Sequence, residues 1–360
     1  MNTSIKAAIG IVSALILSSA LALDVLDQHE LHDAERIDLQ FPHQDDHLSA
    51  TLLLPEGNGP FPVVVFIHGD GPTDRFADGG YIPIMNNLLR NGIASFSWDK
   101  AGVGQSSGHW LEQTMADRAN EAAQAISLLK HQEKVGNIGV LGFSQGGWVL
   151  SQLAENKADY DFMIAVGVAV NWQRQSEYLQ QQRMLHSGFS NDQIDTVRQY
   201  ERRVIQDILL PQAPYNEYLA FMEHNPPPSG AYAEPMSQSR YQFVARNLKV
   251  DMELGLAQIK VPFLGIFGDS DLNVDVRESL AAITKAFNTT GHQEYQLSLL
   301  PNATHSMLKA DSYNFQTTSQ WTTMAQLNYL LEGEDAFAEG FFDLLVNWIH
   351  GISAKEKLKS

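Results

Sequence analysis

Ser144 stands in Gly142-Phe143-Ser144-Gln145-Gly146-Gly147, between two apolar runs of different period. Ile138-Gly139-Val140-Leu141 before it reads as a buried strand, and Trp148-Val149-Leu150 with Leu153-Ala154 after it recurs at helical spacing. A serine at a tight strand-to-helix turn is a nucleophile elbow, which lifts the hydroxyl above the sheet and leaves the next backbone N–H free for an oxyanion. That hydroxyl is a poor nucleophile unless a base sits beside it, oriented in turn by a carboxylate. On such an elbow the acid and then the histidine follow the serine in the chain.

Gly268-Asp269-Ser270-Asp271 directly follows the apolar run 261–267. Asp269 and Asp271 compete for the acid, with Asp275 a distant third. A residue three beyond the glycine has left the strand end and can turn towards a histidine, so we take Asp271 and assign Asp269 to turn chemistry. Of the twelve histidines, His305 in Pro301-Asn302-Ala303-Thr304-His305 follows the next strand, where the base is expected. Ile67-His68-Gly69-Asp70-Gly71-Pro72 leaves another apolar strand on a glycine-rich turn, so backbone N–H groups can face the site. We assign the two oxyanion donors to the Asp70 and Gln145 N–H groups. His68 is a rival catalytic candidate, but holding that loop by hydrogen bonds is its expected task. Gly102 and Gly104 in Trp98-Asp99-Lys100-Ala101-Gly102-Val103-Gly104-Gln105-Ser106 lack the spacing of a nucleotide loop, so this segment is expected to pack tightly beside the site.

The elements that must position these residues alternate. Leu48 to Leu54 ends at Pro55 and suggests a strand near an edge, whereas 62–67, 93–98, the elbow strand and 162–168 are apolar on both faces. Helical spacing lies between them, at Tyr81 to Arg90 and from a capping box at Thr114-x-x-Asp117 to about His131. This alternation predicts an α/β fold, a mostly parallel central sheet flanked by helices. Residues 172–256 break the pattern with polar helical stretches interrupted by Pro211, Pro214 and Pro226-Pro227-Pro228, and are expected to form a helical lid. The triple proline reads as a stiff connection. The sheet resumes at 261–267 and 295–300, a last helix spans about 336–349, and the tail from Lys355 reads as a frayed end.

Composition bounds the rest. Lys6, the apolar stretch Ala7 to Leu17 and Ala20-Leu21-Ala22 read as a secretory leader cleaved after Ala22, which predicts export to the periplasm or beyond without a stable membrane anchor. The chain then divides into a leader 1–22, a first core part 23–171, the lid 172–256 and a second core part 257–360. There is no cysteine, which excludes disulfides and thiolate zinc sites. A net charge of −18 argues against nucleic acid and anionic membranes. The one His-x-x-x-His spacing, His43 to His47, lies in a polar stretch expected to be a solvated loop, so no metal and no cofactor are assigned.

Together these stretches resemble the α/β-hydrolase superfamily, and within it bacterial esterases related to dienelactone hydrolases and serine aminopeptidases. The resemblance covers about residues 48–350 and rests on Pro60-Phe61-Pro62-Val63-Val64-Val65, His68-Gly69-Asp70-Gly71-Pro72-Thr73-Asp74-Arg75, Asp99 to Ser106, Gly142 to Gly147, Gly268-x-x-Asp271 and His305. It implies the α/β-hydrolase fold and a Ser-His-Asp triad acting through an acyl-enzyme, with a small-molecule ester or acyl compound as substrate. Relatives often carry an uncharged residue where Asp70 stands and arginine where Ala101 stands. A carboxylate beside an oxyanion site opposes it unless it points away or is paired; Asp70 is expected either to be neutralised by Arg75 or to cap the loop through its own backbone. An aminopeptidase is the competing reading; it requires lid acids for a free α-ammonium, and Glu177, Glu201, Glu217 and Glu223 are available. Thioester hydrolysis, acyl transfer and a non-catalytic binding protein on the same scaffold stand behind it. The lid aromatics Trp172, Tyr178, Tyr215 and Phe221 are expected to form the lid's own core. Oligomeric state is left open.

Overall fold

The computed structural model describes residues 29–357 except Asp33, so the expected leader lies outside the described residues. Its sheet has eight strands in the order β1-β2-β4-β3-β5-β6-β7-β8. In chain order the elements are β1 (Glu35–His43), β2 (Asp46–Leu54), β3 (Phe61–Ile67), α1 (Ile82–Arg90), β4 (Ala94–Trp98), α2 (Met115–Leu129), β5 (Val135–Phe143), α3 (Gly146–Glu155) and β6 (Phe162–Val166). The lid helices follow as α4 (Trp172–His186), α5 (Asn191–Val204), α6 (Tyr215–His224) and α7 (Gln238–Asn247). Then come β7 (Phe263–Gly268), α8 (Val276–Thr290), β8 (Tyr295–Leu300), α9 (Thr323–Glu332) and α10 (Phe341–Lys357). The first two pairings are antiparallel and the rest parallel.

Each central strand divides its side chains between two cores, as the two-residue period of a strand demands. On β3, Val63, Val65 and Ile67 enter one core while Val64 and Phe66 enter the other. On β7, Phe263 and Phe267 join the first, Leu264 and Ile266 the second. The first core lies under α2, α3 and α8 and continues into the lid; the second lies under α1 and α10. Apolar residues on both faces are therefore required, because helices cover both faces.

Thr114 and Asp117 form the expected capping box of α2, each side chain accepting from the other residue's backbone N–H. Strand 46–54 lies near an edge as expected, with β1, for which no strand was expected, pairing outside it; the alternation of Ile37, Leu39 and Phe41 was its signal. Three expectations need correction. His43 and His47 lie on the two strands of a hairpin, with His43 buried, rather than in a solvated loop. The last helix begins at Phe341, after a 3₁₀ turn at Gly333–Ala336, and continues through Lys357 instead of fraying from Lys355. Residues 323–332, for which no element was expected, form α9 behind a Thr322 cap. No helix among the described residues is long and apolar enough to cross a membrane.

Candidate active site

Ser144 sits between β5 and α3 with φ of 50°, in the left-handed region that a serine enters only when its surroundings impose it. The crossing is tight: a Cβ on Gly146 would lie 2.6 Å from the Ile67 carbonyl oxygen, so only glycine lets α3 start there. The Gly69 turn after β3 runs alongside the elbow, where a Cβ on Gly69 would stand in ordinary contact, 3.4 Å, with the Ser144 Cβ.

Asp271 and His305 arrive from the loops after β7 and β8. Asp271 Oδ2 is 2.8 Å from His305 Nδ1. Its other oxygen accepts the Asn273 and Val274 N–H groups at 2.7 and 2.9 Å, and the Tyr178 hydroxyl donates to its backbone carbonyl. The carboxylate is fully buried, and the imidazole keeps 15% of its surface exposed. Burial pulls the His305 pKa down, but the charge of Asp271 and its hydrogen bond outweigh this and leave it raised above 6.5. The competing carboxylates are otherwise engaged: Asp269 is exposed and accepts from the Ser270 hydroxyl, and Asp275 caps α8.

Neither the Asp70 N–H nor the Gln145 N–H has a protein acceptor among the described residues. Two buried cations, which sequence reasoning did not single out, hold the surrounding peptide planes. Lys100 Nζ donates to the Gly69 and Gly71 carbonyls, each at 2.6 Å. Arg118 donates to the His68 carbonyl at 2.6 Å and to Gln145 Oε1 at 2.8 Å. In a trans peptide the N–H points opposite to the carbonyl, so Lys100, by taking the Gly69 oxygen, turns the Asp70 N–H away from itself. Burial, and then the charge of Arg118, drives the Lys100 pKa well down. His68 is committed elsewhere: its Nε2–H donates to the Trp98 carbonyl at 2.6 Å, and its Nδ1 accepts from the Tyr81 hydroxyl at 3.1 Å. Burial, reinforced by Lys100, lowers its pKa to about 3, so it is a neutral structural ring.

Arg75 is not the partner of Asp70. Its guanidinium bonds Asp99 at 3.0 and 2.7 Å, and the Arg75 and Gln105 N–H groups reach the same carboxylate. That buried pair is what closes the Asp99–Ser106 loop. Asp70 instead meets Arg240 of lid helix α7 at 3.0 and 2.8 Å and the Gln145 side-chain amide at 3.0 Å. Burial would raise the Asp70 pKa, but the hydrogen bonds and charge of Arg240 carry it below the ordinary value.

Ser144 and His305 open into one cavity of about 790 Å³ between sheet and lid. Its floor carries Gly69, Asp70 and Gln145, and its lid wall Leu179, Tyr200, Leu209, Met222 and Val244. Trp172 lines it too while stacking on Trp148 with centroids 4.6 Å apart, so that aromatic serves both the lid's packing and the pocket. Tyr215 and Phe221 do not line the cavity and pack within the lid, Tyr215 against Tyr218 and Tyr241 and Phe221 against Tyr200, as expected. Besides Asp70 on the floor, two glutamates face the cavity, Glu201 and Glu234. Burial pushes Glu201 up to about 7, opposed by Arg183 and helped by Glu177. Among the described residues no group of three or more His, Asp or Glu is placed to hold a metal ion.

The family described as serine aminopeptidase, S33, matches residues 59–312. Esterase EstD of Thermotoga maritima is 31% identical over 123 residues, a match spanning 33% of this chain and 30% of that protein. Among solved structures, Est1E of Butyrivibrio proteoclasticus with bound ferulic acid superposes with a TM-score of 0.52 at 16% identity, covering 88% of this chain and 98% of that one. A proline iminopeptidase of Mycobacterium smegmatis also gives 0.52, at 15% identity, covering 89% and 100%. At those identities the structural likeness establishes the α/β-hydrolase fold.

Proposed function

The chain belongs to the serine aminopeptidase family of α/β-hydrolases, and from that premise we propose that it hydrolyses carboxylic esters through an acyl-enzyme on Ser144. One observation carries the reading: a left-handed elbow serine and a buried, carboxylate-paired histidine share one cavity. Ser144 Oγ attacks the ester carbonyl while His305 Nε2 takes its proton. Asp271, bonded to Nδ1–H, holds the tautomer that leaves Nε2 free and stabilises the imidazolium. The oxyanion is met by the Asp70 and Gln145 N–H groups. Collapse expels the alcohol with the proton from His305, and a water activated by the same imidazole then releases the acid and Ser144. The matched segment of Esterase EstD supports an ester over an amide.

The test is hydrolysis of p-nitrophenyl acetate, butyrate and octanoate by wild type and Ser144→Ala. Activity with a chain-length optimum, abolished in the variant, is the expected result; a folded wild type inert to all three would exclude the reading. A second reading, cleavage of an amino-acyl amide, is favoured by Glu201 and Glu234 at the cavity wall, where a substrate ammonium would find carboxylates. Turnover of amino-acyl p-nitroanilides above that of the matched esters would establish it. Export to the periplasm remains part of the proposal, to be tested by fractionation and by sequencing the mature N-terminus.

A further inference from the structure

Asp70 places two opposed features on one residue: a backbone N–H without a protein acceptor and a carboxylate. If that N–H serves the oxyanion, as proposed above, a bare carboxylate on the same residue repels the charge that forms there. We propose that Arg240 is the counter-charge that makes this oxyanion site work, an electrostatic positioning residue supplied to the core by the lid.

The neighbouring cations are all committed. Arg75 is bonded to Asp99, Arg118 to the His68 carbonyl and Gln145 Oε1, and Lys100 to the Gly69 and Gly71 carbonyls. Among the described residues only Arg240 forms an ion pair with Asp70, and it does so with both nitrogens on both oxygens. That two-point geometry fixes the carboxylate's direction as well as its charge. Gln145 joins the arrangement, its amide donating to Asp70 while its carbonyl oxygen accepts from Arg118. Both residues assigned as oxyanion donors are thus tied through their side chains to one lid arginine.

Helix α7 is placed for this. Its C-terminal end is pinned to the core by Arg246 on the Leu111 and Glu112 carbonyls and by Asn247 on the Gln113 carbonyl and the Met115 N–H. The Arg240 guanidinium lies 5.2 Å from the Phe243 ring centre. Arg240, Val244 and Leu248, four residues apart, all line the cavity. The face that meets the substrate's apolar part therefore also delivers the charge, so displacing α7 would remove both together.

A double-mutant cycle tests this with a neutral ester, p-nitrophenyl butyrate, on wild type, Arg240→Gln, Asp70→Asn and the double variant. Arg240→Gln is expected to lower kcat about tenfold with KM changed less than threefold, and Arg240→Lys to recover most of the loss. In the Asp70→Asn background the same Gln substitution is expected to change kcat less than twofold, because no charge is left to compensate. Equal losses in both backgrounds would overturn the inference, as would a loss confined to KM. Thermal melts of all four proteins separate a folding defect from a rate effect. If the esters are not turned over, the cycle is read on the rate at which a neutral fluorophosphonate labels Ser144, since that addition also builds charge on an oxygen. Labelling with the same coupling keeps the inference while the ester reading fails; labelling without coupling ends the inference alone, and no labelling of Ser144 ends both.

Discussion

The two walls of the cavity are built differently. On the sheet side, Ser144, Asp271 and His305 stand on the loops immediately following three parallel strands, and backbone N–H groups or buried side chains hold each loop. On the lid side, helices α4 to α7 share the first core and meet the sheet half through side-chain contacts such as Arg240–Asp70, Trp172–Trp148 and Asn247 on the Gln113 carbonyl. Strand ends are tied to one another by the sheet ladder. A lid held by side-chain contacts can lose one at a time. The sheet wall is therefore expected to govern the chemical step, and the lid wall to govern which substrates reach it and how charge is balanced around it.

The largest effect should come from the sheet wall. Asp271→Asn is expected to cut kcat about 10⁴-fold by stabilising the wrong imidazole tautomer. In the proposed role His305 is a base only when unprotonated, so activity is expected to fall as pH drops through its raised pKa. In wild type that acid limb lies above 6.5, and in the variant it moves down, because burial remains while the favourable charge is gone. A pH–rate profile measures both, and an unmoved limb would break the assignment.

On the lid wall, Trp172→Ala is expected to cost about 3–5 kcal/mol of stability by opening a cavity against Trp148, measured by denaturant unfolding. A loss below about 1 kcal/mol would mean that the lid packs independently of this pair. Lys100→Met tests the floor between the walls. Released from Lys100, the Gly69 peptide can rotate and the Asp70 N–H is lost to the oxyanion, for a fall in kcat of about 10². A rise in KM with kcat unchanged would argue against this.

The smallest effect concerns Glu201. Its folded-state pKa of about 7 exceeds the ordinary 4.5, so the folded protein holds that proton more tightly, and the benefit fades as pH rises through 7. Glu201→Gln is expected to stabilise the protein on the order of 1 kcal/mol at pH 8, after allowance for partial exposure, and not at pH 4. If it instead abolishes amino-acyl amide cleavage while sparing esters, the carboxylate is a substrate contact and the lid wall selects ammonium groups.

What was legible in the chain were the features written over a few consecutive residues. The elbow glycines, the Thr114–Asp117 capping box and the strand-then-loop placement of Asp271 and His305 each depend on local geometry, and the central strands show as apolar runs because both their faces are covered. β1 carried a readable alternation at 37, 39 and 41, with Asp38 and Gln40 between. The partner of Asp70 could not be read. Arg75 is five residues away and Arg240 is 170, yet the guanidinium of Arg75 is drawn into a buried pair with Asp99, and only the folding of the lid over the sheet brings Arg240 to Asp70. Lys100 and Arg118 likewise look like ordinary surface charges in the sequence. The sequence by itself determined the central strands, the elbow and the chain order of Ser144, Asp271 and His305, because hydrophobic period and turn chemistry are properties of neighbours. Which cation meets Asp70, and which side chains wall the pocket, was decided by tertiary structure, because a charge pairs with whatever the fold brings within reach.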